Sequence, residues 1–93
     1  MKSNIQTIEK EQIKYLTFPK EDVLSNKSEK INRFVELHRA LYLGNIEREK
    51  VKIVFSDDTN LKRVETTIWA VTDKAVILKK STIIPLARVV SVA

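Results

Sequence analysis

Ninety-three residues, 43% of them hydrophobic, provide for one domain with a single modest core and leave little space for an enclosed active site beside it. With no cysteine in the chain, disulfides and thiolate metal sites are excluded, which fits a reducing compartment. The formal charge of +5, from 17 basic and 12 acidic residues, is mild and spread out; it suits nucleic acid or an acidic partner, and equally plain solubility.

The start, MKSNIQTIEKEQ, lacks the apolar stretch of a signal peptide. No apolar run approaches the roughly 18 residues that cross a bilayer, so the expectation is a soluble, cytoplasmic protein. Residues 1–27 read as an N-terminal arm or short helix. Ile5, Ile8, Ile13 and Leu16 can share one helical face, yet QIKYLTF has strand-like content, and Pro19 stops whichever element precedes it. PKEDVLSNKSEK then reads as a polar linker.

Residues 28–93 read as a helix followed by a small barrel. Ile31, Phe34, Val35, His38, Leu41 and Tyr42 recur with the spacing of one helical stripe, which predicts a helix over 28–43 packed by that stripe against the strands. Ser28 suits the start as an acceptor for free backbone N–H groups, and Glu29 suits the positive end of the helix dipole. Gly44, the only glycine, stands where a left-handed cap would end the helix.

From Lys50 the period changes to two. KVKIVFS puts Val51, Ile53 and Phe55 on one face, and DDTN makes a turn. LKRVETTIWAV, residues 61–71, is one long strand with Val64, Thr66, Ile68 and Ala70 on one side and Arg63, Glu65, Thr67 and Trp69 on the other. AVILKK forms the next strand, and TIIPLARVVSVA closes the chain as two short strands around a tight PLAR corner. The predicted fold class is α+β: an amphipathic helix on a five-stranded antiparallel SH3/Sm-like small barrel, whose closure would hide aliphatic strand edges.

In this order of elements, AVILKKS and IIPLARVVSV resemble the third strand and the last two strands with their corner in the Sm-like small barrels, the bacterial Hfq type among them. The resemblance covers residues 28–93 and implies the barrel architecture. Arg63 and Val64 stand where that family has a strand glycine, Lys74 and Ala75 follow Asp73 where it has an asparagine, and Pro85, Leu86 and Ala87 replace its Tyr-Lys-His signature. Its RNA-pocket residues therefore do not transfer. HRALYLGN, VETTIWAVTDKAVILKK and IIPLARV also resemble stretches of small bacterial proteins of similar length, which imply no function.

Few residues carry chemistry. His38 is the only histidine, and zinc needs three or four ligands. Asp57 and Asp58 read as a turn, since calcium-loop spacing is missing. With a single glycine, Gly44, there is no glycine-rich phosphate loop, and no Ser or Thr has an evident base. The expectation is a non-catalytic binding or assembly module with no cofactor, metal, membrane or small-molecule substrate. The aliphatic surplus of the strand region favours a protein partner or self-association. The alternative is RNA or single-stranded nucleic acid on a basic and aromatic face. The candidate binding surface is Arg63, Trp69, Lys74, Lys79, Lys80 and Arg88; Trp69 reads either as a stacking platform or as packing on Phe34 or Leu41 at the helix–barrel junction.

Overall fold

In the computed structural model, which describes residues 5–47 and 49–93, the alternation read from Lys50 onward becomes two sheets. Strands β2 (Val51–Ser56) and β3 (Leu61–Thr66) pair antiparallel, with Val51 opposite Thr66 and Ser56 opposite Leu61. The other face of β2 pairs with β7 (Val89–Val92), and the two-residue β1 (Gln6–Thr7) runs parallel along β3. The second sheet holds β4 (Ile68–Val71), β5 (Ala75–Leu78) and β6 (Thr82–Pro85), all antiparallel.

The protein is thus α+β, with one long helix and two open sheets rather than a closed five-stranded barrel. The strand predicted over 61–71 is broken at Thr67 and passes from one sheet to the other. The alternation nonetheless survives the break, with Val64, Thr66 and Ile68 all buried. Bending without glycine is achieved by a bulge: Ile68 faces Leu78 and Ala70 faces Ile77, so Trp69 is the extra residue. The PLAR corner is a 3₁₀ turn, Leu86–Arg88.

Inward residues of both sheets form one core with Leu37 and Ala40 of the helix: Val51, Ile53, Phe55, Val64, Ile68, Val76, Leu78, Ile84 and Val89. Ile8 and Ile13 belong to it as well, so the segment read as an arm is part of the fold; its residues 1–4 lie outside the described ones. Ile13 sits in a 3₁₀ helix, Lys10–Tyr15, that packs beside β6, and Phe18 lies against Phe55 with ring centroids 6.0 Å apart. The aliphatic surplus noted in the sequence therefore goes largely into the core and not onto a strand surface.

The turn between β2 and β3 is built on a buried charge. Asp57 Oδ1 accepts from the backbone N–H groups of Thr59 and Asn60 and from Thr59 Oγ1, all at 2.9 Å, while Oδ2 accepts from Lys62 Nζ at 2.6 Å. Burial pushes the Asp57 carboxyl up, but Lys62, Asn60 and Thr59 more than offset this and hold it well below the usual carboxylate range.

Helix α1, Lys27–Glu47, is longer than predicted at both ends. Its cap is Asn26, whose Oδ1 accepts from Ser28 N at 2.7 Å and Glu29 N at 3.3 Å. Gly44 does not end the helix. It lies inside it with an ordinary backbone, and its missing side chain lets the helix approach β4: a Cβ there would meet Thr67 Cγ2 at 3.1 Å and Ile68 O at 3.6 Å. Among the described residues no helix is long and apolar enough to cross a membrane.

Candidate functional site

The orientation of α1 reverses the expectation. The buried positions are Arg33, Leu37, Ala40 and Gly44, spaced one turn apart along a face that packs on β4 and β7. Ala40 and Gly44 are small, so the C-terminal half of the helix lies close to the sheet. Arg33 is only 5% exposed; its Nη1 and Nη2 donate to Asp22 Oδ1 and Oδ2 at 2.9 Å, and Nη1 also donates to Val89 O at 3.1 Å. The Arg33 guanidinium beside Asp22 holds that carboxyl below its ordinary value, against the cost of partial burial. This fork ties the linker, the helix and β7 together.

With that face committed, the apolar stripe points outward. Ile31 is 56% exposed, Phe34 47%, Val35 46%, Tyr42 64% and Ile46 62%; of the predicted stripe, only Leu41 packs partly against the core. His38 sits in the middle of this exposed row, its ring 4.1 Å from that of Phe34 and its Nδ1 3.1 Å from Phe34 O, a contact that requires the proton on Nδ1. Arg39 flanks the row and pairs with Glu36 at 3.5 Å. Scattered exposed apolar side chains are ordinary on a soluble fold. A row along just over four turns of one helix is not, and such a surface can hold another apolar surface out of water.

The residues read from the sequence as a binding surface are not brought to one place. Trp69, next to buried Ile68 and itself 50% exposed, shares a shallow depression with Gly44, Asn45, Thr67 and Lys79; the Phe34 ring pairs with His38 instead. Lys79 and Lys80 also border a neighbouring hollow, where Glu9, Glu11 and Glu65 dilute their charge. Lys74 stands apart beside Phe18, Pro19 and Asp73. Arg63 is half-buried and donates from Nη2 to Thr7 Oγ1 at 3.1 Å. Arg88, read as a surface cation, is buried: Nε donates to Ser56 O at 3.0 Å, Nη1 to Glu21 O at 2.7 Å and Nη2 to Asp57 O at 3.2 Å, which clamps the last corner to the start of the β2–β3 turn.

Among the described residues no three His, Cys, Asp or Glu side chains cluster as a metal site would require. Arg33, in phase with Leu37, Ala40 and Gly44, was the available signal for the inward face; small residues along one stripe mark a face that approaches its neighbour closely. Comparison with known proteins adds no relative: no family model, no curated protein and no solved structure matches the chain.

Proposed function

We propose that this chain is a non-catalytic assembly module that binds another polypeptide through the outward face of α1. One observation carries the reading: Ile31, Phe34, Val35, Tyr42 and Ile46 stand in water on a helix whose opposite face already meets the core. Water removal from such a row stabilises association by roughly 25 cal/mol per Å² of apolar area, before the costs of ordering are subtracted. Nothing comparable supports catalysis, because the buried titratable groups, Asp57 and Lys62, satisfy one another. The architecture reads as an opened relative of the SH3/Sm-like barrel. Its support is the pairing order, in which β3 and β4 continue one bent strand, β5 and β6 follow it, and β7 returns to β2 after the 3₁₀ corner. The expected cytoplasmic location belongs to the same proposal.

A photoreactive amino acid placed at Val35, in cells that make the full chain, tests the function. Adducts with any polypeptide, lost when the probe is moved to buried Leu37, are expected; absence of adducts overturns the proposal.

A second reading has one observation in its favour, the exposed indole of Trp69 beside Lys79. Stacking of a base there, with phosphate on the lysine, would bind single-stranded nucleic acid. Trp69 is the only tryptophan, so its fluorescence reports this site alone. Titration with a short oligonucleotide should quench it at low salt and release it as salt rises; unchanged fluorescence removes this reading.

A further inference from the structure

The geometry points to a second copy of this chain as the occupant of the outward face of α1, packed antiparallel across a two-fold axis that passes beside His38 and Arg39. This rests on the reading of that face as an interface and names its partner.

Four of the five exposed apolar side chains are symmetric end for end, with Phe34 standing to one side of the pairs. Ile31 and Ile46 stand equally far from the peptide bond between His38 and Arg39, and so do Val35 and Tyr42. At 1.5 Å rise and 100° per residue, a two-fold axis through that midpoint sets Ile31 of one copy beside Ile46 of the other at both ends, and Val35 beside Tyr42 between them. An isologous interface demands this: each contact must occur twice, with the two sides exchanged. A face evolved for an unrelated partner has no need of such symmetry. The midpoint also falls near the middle of Lys27–Glu47, so almost the whole length of both helices overlaps.

The rim agrees with the same arrangement. The axis places Arg39 and Glu36 of both copies along one edge, where each arginine has a carboxylate of its neighbour in reach as well as its own, already at 3.5 Å. Arg39 is the charged side chain beside the axis, and the Glu36 carboxylates next to it offset the approach of the two guanidinium groups. The five exposed apolar residues offer on the order of 600 Å² per copy, which, with the flanking side chains, approaches the roughly 800 Å² per partner of a stable specific interface. The expected product is a reversible dimer rather than an obligate one.

Two measurements on the full chain decide it. Sedimentation velocity from about 5 to 500 µM should show the mass rising toward twice 10.7 kDa, and Val35→Asp or Tyr42→Asp should weaken dimerisation by about tenfold or more. Both positions are exposed, and an unchanged circular dichroism spectrum and Trp69 emission confirm that each variant still folds. Orientation is read by disulfide trapping, for which the cysteine-free chain is suited. A mixture of Ile31→Cys and Ile46→Cys chains should oxidise to a mixed dimer, whereas Ile31→Cys alone should not, because its two copies lie far apart in the antiparallel pair. A monomer at every concentration overturns the inference, and so does efficient self-trapping of Ile31→Cys. If the chain is monomeric while the Val35 probe still captures a different polypeptide, the assembly reading stands and the second copy alone is excluded; if the probe captures nothing, both fall.

Discussion

The turn around Asp57 and the outward side of α1 invert the usual rule in opposite directions, one burying charge and the other exposing apolar side chains. At the turn every departure is answered within the chain: Asp57 meets Lys62, two backbone amides and a hydroxyl, while Arg88 closes over the corner with backbone acceptors. Along α1 nothing among the described residues covers Ile31, Val35, Tyr42 or Ile46. The first exception is therefore explained by folding within the chain, and the second is not. A buried charge, for all its rarity, says less about function here than a row of ordinary aliphatic residues.

The strongest way to break the contrast is to unbalance the turn. Asp57→Ala leaves Lys62 buried without its carboxylate and should cost about 3–5 kcal/mol in urea unfolding. If the loss is below 1 kcal/mol, the turn is a solvated surface feature and the contrast disappears. Next come the two faces of α1. Leu37→Ala, at a fully buried position, should cost about 3 kcal/mol, whereas Val35→Ala should change stability by less than about 0.5 kcal/mol when measured at high dilution. Equal losses would mean that the helix is turned differently.

Acid should separate the regions further. Asp57 and Asp22 both have folded carboxyls held below their ordinary value of 3.8, so each contributes stability that is present above that pH and is lost as pH falls from there toward the folded values. Unfolding free energy measured at pH 7 and pH 3 should drop, and the drop should shrink in Asp57→Asn. A Val35→Ala chain should lose as much as the parent, since both Asp22 and Asp57 lie away from that face. The smallest effect belongs to the turn after β5. Lys80 and Ser81 both have left-handed backbone, with φ of 65° and 62°, although neither is glycine. Lys80→Gly should raise the unfolding free energy by about 1 kcal/mol or less and leave dimerisation unchanged.

Much of the sheet was legible in the sequence because its period of two is set by local geometry. The order of Val51, Ile53 and Phe55, and of Val64, Thr66 and Ile68, fixes what faces inward even where the strand crosses between sheets. The face of α1 was not legible in the same way. Periodicity shows that a helix has an apolar side and is silent on which side meets the core. Here the choice goes to Arg33, whose burial depends on Asp22, eleven residues back in the linker, and to the small residues Ala40 and Gly44. Gly44 read as a stop signal because chain ends and close approaches both select glycine. Arg88 read as a surface cation because its acceptors, the backbone of Glu21 and Ser56, come together only in three dimensions. The outward orientation of Trp69 follows from the same alternation as buried Ile68, whereas the bulge beside it is a feature that no residue type announces.

The parallel pairing of Gln6 and Thr7 with Lys62 and Arg63 governs the order of events during biosynthesis. Gln6 and Thr7 emerge before their docking strand, which is made more than fifty residues later, and the corner that clasps Glu21 through Arg88 comes later still. Ile8 and Ile13 must wait, still hydrated, until Lys62, Arg63 and Arg88 have left the ribosome. Such distant connections slow folding toward the range of milliseconds to seconds and make it a single late step rather than a sequence of stable pieces.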